Sequence, residues 1–347
     1  MTREKPLTVL IVDDSPVSRR ALARLLDAAP GIEVVGKAAD GEEGLKQALR
    51  LKPDVITLDL EMPKLDGYGF LRLLMARQPT PVIVVSSYGH PSDVFKALQL
   101  GALDFVARPG DGDDASLAPV RAELIEKLRA ARYMRREEPK APPAPKAPKA
   151  APKPPEPERA ALVLVGASTG GPPAVQKLLE ALAGLPVCVL VAQHMPARFT
   201  EAFAARLDQA LPFRVTEAKS GDPVAPGRVY VAPGGQQLEV AVRGGRLALE
   251  VKATTAADAH APSVDRLFAS VAKLGLADAR AVVLTGMGAD GAKGALALKK
   301  AGVEVWAEAE SSAVVFGMPE AAIKAGAVAR TLPLEALGPS LARALKG

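Results

Sequence analysis

Ser168 stands among glycines in Gly166-Ala167-Ser168-Thr169-Gly170-Gly171. Gly-x-Ser-x-Gly is the pattern of a nucleophile on a tight strand-to-helix turn, where glycines tolerate the strained backbone around an exposed hydroxyl. A glycine-rich turn ahead of a helix also suits an anion cradle. The stretch lacks G-x-G-x-x-G and a Gly-Lys-Ser/Thr ending, yet on its own it leaves both readings open. Two more residues bear on the choice: His194 ends the apolar run PVCVLVAQH, and Asp290 follows LTGMGA. Serine, histidine and aspartate supply a nucleophile, a general base and an orienting acid. The chain has three histidines; His90 lies far upstream and His260 sits in a loop before Pro262. Taken singly, the serine reads as a turn residue, the histidine as a solvated strand end and the aspartate as a helix cap. All three at one edge of one sheet is the rarer coincidence and favours catalysis. The order Ser, His, Asp differs from the α/β-hydrolase order.

A second cluster is carboxylic. Asp13-Asp14, Asp59 and Ser86-Ser87 each close an apolar run, and Arg108-Pro109 closes a fourth. Three carboxylates converging on one edge repel unless a divalent cation neutralises them, and hard oxygen donors suit Mg2+. Helix capping explains one such aspartate well and three poorly.

Both clusters require parallel sheets to position them. Residues 1–132 alternate LTVLIVDD, a helix near 16–28, EVVGKAA, a helix near 41–50, DVITLDL, a short helix, PVIVVSS, a helix near 92–100, DFVAR and a final helix near 117–132. Five βα units predict a doubly wound parallel sheet with its site at the strand C-termini. Residues 133–159, rich in Pro, Ala and Lys without apolar periodicity, read as an extended, semi-rigid tether. In residues 160–347, ALVLVGA precedes a helix near 172–183; PVCVLVAQH, RVTEAK and RVYVAPGG follow. LEVAVRGGRLALEV reads as a hairpin about Gly244-Gly245. A helix near 263–274 leads to ARAVVLTGMGADG, and VEVWAEAESSAVVFGMPEAA supplies a strand, a loop and a helix. Neighbouring strands are about 4.8 Å apart, so adjacent ends bearing Ser168, His194 and the Asp290 loop lie within side-chain reach.

The bulk numbers exclude several classes. The 347 residues suit two domains, with 48% hydrophobic and 24% charged residues. The net charge of +5 is thinly spread: 18 basic against 19 acidic in 1–132, 7 against 4 in 133–159, 19 against 16 in 160–347. There is no basic stripe with interleaved aromatics, so nucleic acid is not an expected partner. Cys188, the only cysteine, lies inside an apolar run, which predicts a buried, inert thiol and a reducing compartment. No apolar stretch is long enough for membrane insertion and MTREKPLTV lacks a signal-peptide core; a cytoplasmic location is expected. No helix-turn-helix pattern follows the tether.

VDDS (12–15), LDLEMPKLDG (58–67), VVSS (84–87) and DFVARP (104–109) resemble the receiver domain of two-component response regulators. The resemblance implies a flavodoxin-like fold with Asp59 as phosphoryl acceptor. Asp13, Asp14, Asp59 and the Glu61 carbonyl would hold Mg2+, Ser86 would follow the phosphoryl group and Phe105 would change position with it. Arg108 stands where that family has lysine; it keeps the charge but forks differently.

GASTGGP (166–172), QHMP (193–196), YVAPGG (230–235), HAPSVDRLF (260–268), LTGMGADGAKG (284–294) and VVFGMPEAA (314–322) resemble the catalytic domain of the chemotaxis protein-glutamate methylesterase family, CheB. This implies a Rossmann-like esterase domain over 160–347, with Ser168, His194 and Asp290 as a triad. The backbone N–H of Met287, with Thr169 nearby, would hold the oxyanion, and the esterase site would need no cofactor. Implied partners are methylated chemoreceptor cytoplasmic domains as substrates and a chemotaxis histidine kinase as phosphodonor. Glutamine deamidation is an implied second activity, and the receiver would inhibit until Asp59 is phosphorylated. Two positions depart from the family: Gln237-Leu238 replaces a His-Leu pair, and Glu308-Ala309-Glu310-Ser311-Ser312 lacks the usual Gln and Asp. A response regulator with an anion-binding second domain and a non-catalytic scaffold are the alternatives.

Overall fold

The computed structural model describes residues 5–87, 91–108, 113–131 and 161–346. The tether 133–159, His90 and Pro109 lie outside the described residues, as does the side chain of Ser87. The chain divides into two compact units, Met1–Pro143 and Ala144–Gly347.

In the first unit, strands β1 (Leu7–Val12), β2 (Ile32–Ala38), β3 (Val55–Leu58), β4 (Val82–Ser87) and β5 (Asp104–Arg108) alternate with helices α1 (Pro16–Asp27), α2 (Gly41–Leu51), α3 (Gly67–Arg77) and α4 (Pro91–Gln99). The strands form one sheet in the order β2-β1-β3-β4-β5, with every neighbouring pair parallel. This is the flavodoxin-like order, whose crevice lies outside the C-termini of β1 and β3. Helix starts follow their caps: Ser15, Asp40 and Asp66 each accept a backbone N–H from the first turn. The expected final helix is broken, however. It begins as α5 (Asp114–Leu117), passes through a 3₁₀ turn (Ala118–Val120) and resumes as α6 (Arg121–Ala131). Pro119 has no N–H to offer the Ala115 carbonyl, and it disfavours helical backbone at Ala118.

The second unit contains β6 (Ala161–Ala167), α7 (Gly171–Leu182), β7 (Val187–Gln193), α8 (Phe199–Ala210), β8 (Arg214–Glu217), β9 (Arg228–Val231), β10 (Gln236–Arg243), β11 (Arg246–Ala253), α9 (Val264–Leu274), β12 (Arg280–Val283), α10 (Ala292–Lys300), β13 (Glu304–Glu308), α11 (Gly317–Lys324), β14 (Arg330–Leu332) and α12 (Leu334–Ala344). Seven strands form a parallel sheet ordered β14-β13-β12-β6-β7-β9-β8. Its central strands are buried on both faces, which is why they read as unbroken apolar runs. The chain leaves β6 toward β7 on one side and returns to its other side as β12, so the switch point lies at β6. Strands β10 and β11 pair separately as an antiparallel hairpin. Its two-residue turn has positive φ at Gly244 and Gly245 (55° and 77°), the conformation that a tight hairpin turn requires.

Strand β14 and helix α12 extend beyond the elements expected from sequence. A three-residue strand carries almost no periodic signal, and Pro339 inside α12 reads as a helix breaker. Helix α12 packs on α7, while α9 packs on α10 and β10. The core on the α9–α10 face joins Leu164, Leu190, Tyr230, Leu249, Phe268 and Leu298. Cys188 is fully buried within it, and burial pushes its thiol up to about 12, which keeps it protonated and unreactive. Among the described residues no helix is long and apolar enough to cross a membrane.

Candidate active site and acidic pocket

The register of three adjacent strands brings the catalytic candidates to one level. Ala167 at the end of β6 pairs with Gln193 at the end of β7, and Gly166 pairs with Val283 of β12. Beyond these pairs the ladder continues: the His194 N–H donates to the Ala167 carbonyl at 3.0 Å and the Ser168 N–H to the Thr285 carbonyl at 3.0 Å. Ser168 and His194 therefore leave the sheet side by side. Gln193, buried, clamps the two turns by donating from Nε2 to the carbonyls of Ser168 (2.9 Å) and His194 (3.1 Å).

The three side chains form one relay. His194 Nδ1 lies 3.2 Å from Ser168 Oγ and His194 Nε2 lies 2.7 Å from Asp290 Oδ2. With Nε2–H donating to the carboxylate, Nδ1 is left unprotonated to accept the serine proton. In serine proteases the two ring nitrogens exchange these roles, Nε2 facing the serine.

Asp290 is tied down beyond its contact with His194. The N-terminus of α9 aims two amides at it: Val264 N–H to Oδ2 at 2.8 Å and Asp265 N–H to Oδ1 at 2.9 Å, with Ser263 Oγ–H to Oδ1 at 3.0 Å. Burial raises the pKa of this carboxyl, but the His194 hydrogen bond and charge and the two amides outweigh it, leaving a value of about 2. Asp265 repays the arrangement at α10, accepting the Gly291 and Gly294 N–H groups at 2.9 and 2.7 Å. Each of the two packed helices thus has its orphan amides satisfied by an aspartate from the other's approach.

The loop between β12 and Asp290 comes close to the serine because Gly286 has no side chain. A Cβ there would stand 2.8 Å from Ser168 Cβ and 2.3 Å from Met318 Sδ. Met287 follows, and within the described residues its backbone N–H makes no hydrogen bond; it is available as an oxyanion donor. Thr169 is buried, and its carbonyl accepts from Thr285 Oγ1 at 2.9 Å. Sequence reasoning did not reach the group behind this loop. Glu308, fully buried at the end of β13, accepts the Thr285 N–H (2.8 Å) and the Ser312 hydroxyl (2.9 Å). Its burial raises the carboxyl pKa. Nor did it find His260, whose ring stacks on His194 with centroids 4.4 Å apart and planes 12° from parallel. The sequence signal in this stretch was the helix near 263–274, which Ser263 caps by accepting the Arg266 N–H.

In the first unit, Asp13, Asp14 and Asp59 offer carboxylate oxygens that all lie within 4.8 Å of one another. Asp13 is buried and held by the Ser15 N–H (2.9 Å) and Ser18 hydroxyl (2.5 Å). Asp59 accepts the Leu60 N–H at 2.7 Å and lies at the limit of contact with the Glu61 N–H, 3.5 Å. Glu61 itself is exposed. Burial, then the charge of Asp13, pushes Asp59 up to about 6 against the opposing pull of Arg108. Three hard anionic donors at this spacing fit Mg2+. Arg108, buried, sends Nη2 to 3.6 Å from Asp59 and 4.0 Å from Asp13, while its Nε and Nη1 lack acceptors among the described residues. Ser86, next to last in β4, pairs with Ala107 and is half-buried. Phe105 points inward, edge-on to Phe95 at 6.5 Å.

Both units match known protein families. Residues 163–341 match the family model described as CheB methylesterase, and residues 9–117 match the response regulator receiver domain. The chain is 57% identical to the protein-glutamate methylesterase/protein-glutamine glutaminase 1 of Myxococcus xanthus (strain DK1622), over 99% of this chain and 98% of that protein. It is 53% identical to protein-glutamate methylesterase/protein-glutamine glutaminase 6 of Anaeromyxobacter dehalogenans (strain 2CP-C), over 96% and 95% of the two chains. Among solved structures, the catalytic domain of the Thermotoga maritima CheB methylesterase aligns with a TM-score of 0.51 and 34% identity, covering 54% of this chain and 99% of that one. The chain belongs to the CheB methylesterase family, with a response regulator receiver domain ahead of the methylesterase domain.

Proposed function

We propose that this chain is a phosphorylation-regulated chemotaxis hydrolase that removes methyl groups from glutamate methyl esters on chemoreceptors, with Ser168 as nucleophile, His194 as general base and Asp290 as orienting acid. The observation that carries the reading is the relay from Ser168 Oγ through Nδ1 and Nε2 of His194 to Asp290, at 3.2 and 2.7 Å. Ser168 Oγ attacks the ester carbonyl as its proton passes to His194 Nδ1. The oxyanion that forms takes hydrogen bonds from the Met287 N–H, with Thr169 beside it; one such donor contributes about 10²–10³ in rate. His194 returns its proton to the departing oxygen, and methanol leaves. Water then attacks the acyl-serine as its proton passes to His194, which returns it to Ser168 Oγ as the acyl–oxygen bond breaks, leaving glutamate. With a glutamine side chain the same steps release ammonia, which is the second activity in the names of the M. xanthus and A. dehalogenans relatives.

An anion cradle at the same loop fits less well. The Ser168 and Gly171 amides already donate to the Thr285 and Ser168 carbonyls, so two of the loop's donors are engaged within the protein.

In the receiver, Asp59 accepts the phosphoryl group, and Asp13, Asp14 and Asp59, with the Glu61 carbonyl, would hold Mg2+. Bound Mg2+ supplies charge neutralisation for phosphoryl transfer. Arg108 reaches Asp59 with Nη2 at 3.6 Å, and its buried Nε and Nη1 lack acceptors among the described residues; phosphoryl oxygens on Asp59 are acceptors of the matching kind. The phosphodonor is a histidine kinase, the receptors are the substrates, and the compartment is the cytoplasm. The domains are 1–132 and 160–347, joined by the tether 133–159. The test is methanol release from methylated receptor membranes by the full chain and by Ser168→Ala. Release by the first and background release by the second is expected; equal release by both would remove Ser168 from the mechanism.

A further inference from the structure

Two in-plane contacts hold the His194 ring, one at each nitrogen: Asp290 at 2.7 Å and Ser168 at 3.2 Å. Neither contact resists tilting of the ring about the line that joins them. The face-to-face contact with His260, at 4.4 Å and 12°, does. His260 itself lies on the exposed rim, so its ring covers one face of His194 against water rather than filling a core.

The backbone beneath His260 is fixed by a buried amide. Gln237, fully buried, donates from Nε2 to the His260 carbonyl at 2.7 Å and accepts the Ser263 N–H on Oε1 at 2.8 Å. The Gly235 N–H adds a bond to the Ala261 carbonyl at 3.0 Å. Ser263 in turn donates its hydroxyl to Asp290. One side chain therefore sets both the residue stacked on His194 and a residue bonded to its carboxylate.

We infer that His260 is a positioning residue for the general base, acting through the flat face it presents to His194. The stack keeps the imidazole in the plane in which Nδ1 meets the Ser168 hydroxyl. When His194 takes the serine proton, the imidazolium lies against a π face, which favours the charged form formed during the reaction. A neutral flat ring of any chemistry serves this role; an acid–base function of the His260 imidazole is not required. The inference rests on the proposed hydrolase reading.

The experiment compares the full chain with His260→Ala and His260→Phe, with Ser168→Ala as the background control, reading kcat and KM for methanol release. Imidazole ¹⁵N NMR of His194 is recorded on the same proteins. Misplacing a reacting group by a fraction of an ångström to one ångström costs up to about 10²-fold. His260→Ala is expected to lower kcat by about tenfold to hundredfold with KM nearly unchanged, and to broaden the His194 Nε2–H resonance. His260→Phe is expected to restore both. Wild-type kcat in His260→Ala, a defect in KM alone, or a Phe variant as impaired as Ala would each overturn the inference. If the wild-type chain releases no more methanol than Ser168→Ala, the hydrolase reading fails instead. The NMR comparison then still decides whether His260 orders His194: an unchanged His194 spectrum in His260→Ala overturns the inference, and a broadened one restored by Phe upholds it.

Discussion

Replacing Asp290 by Asn isolates what a charge at the head of α9 does for both catalysis and stability. Asp290 receives four donors, two on each oxygen: Ser263 Oγ and Asp265 N on Oδ1, Val264 N and His194 Nε2 on Oδ2. An amide keeps one acceptor and brings a donor. Whichever way it turns, its NH2 meets a backbone N–H of α9, and with nitrogen at the Oδ2 position it also faces His194 Nε2–H. The ring then moves its proton to Nδ1 and can no longer accept from Ser168. The equivalent change in a serine protease lowers turnover about 10⁴-fold, and a loss of about 10³–10⁴ in kcat is expected here. Stability falls as well. With the folded pKa near 2 against 3.8 for the ordinary carboxyl, the charged form contributes about 2 kcal/mol. For a unit of this size that lowers Tm by roughly 4–8 °C. Because the pKa is depressed on folding, the contribution is present above about pH 4 and disappears as pH falls toward 2. The wild-type and Asn melting curves should therefore stand apart at pH 7 and converge on acidification. Trp306, the chain's only tryptophan, is fully buried in β13, so its fluorescence follows this unit alone. A Tm gap that persists unchanged to pH 2, or an Asn variant with wild-type turnover, would refute the assignment of the charge to this site.

Gly166→Ala places a methyl 2.3 Å from Val264 Cγ1, pushing α9 and its amides off Asp290. A loss of about 1–3 kcal/mol is expected by denaturant titration of Trp306 fluorescence, with reduced kcat; an unperturbed midpoint would show that α9 yields freely. Glu308→Ala leaves the buried Thr285 N–H without its acceptor, at about 1–3 kcal/mol. It should also lower kcat by loosening the loop to Met287; stability lost with kcat intact would confine Glu308 to the fold. Asp13→Asn removes one of three anionic donors from the acidic pocket and should weaken Mg2+ binding about tenfold or more by calorimetry. An unchanged isotherm would put the metal elsewhere.

Much of this molecule is written in local pattern. Buried parallel strands read as apolar runs, and glycines and carboxylates at their ends mark the edge where chemistry can sit, so Ser168, His194, Asp290, Asp13 and Asp59 were legible from residue type and position. The register that levels these ends follows from the same periodicity, since a parallel strand buried on both faces has only one apolar segment to offer. Contacts between residues far apart in sequence carried no such signal. Which nitrogen of His194 faces Ser168 depends on where the loop ahead of α10 delivers Asp290, 96 residues downstream. The reciprocal capping by Asp265, the Glu308 carboxyl behind Thr285 and the stacking of His260 each arise where separate elements meet. Short or proline-bearing pieces such as β14 and α12 were missed because tertiary packing, not propensity, stabilises them. The parallel α/β architecture and the chemical groups at its edges follow from the residues alone, because both are properties of single segments. Their orientation arises when the segments pack, because direction in a site is set by hydrogen bonds and ring contacts between them.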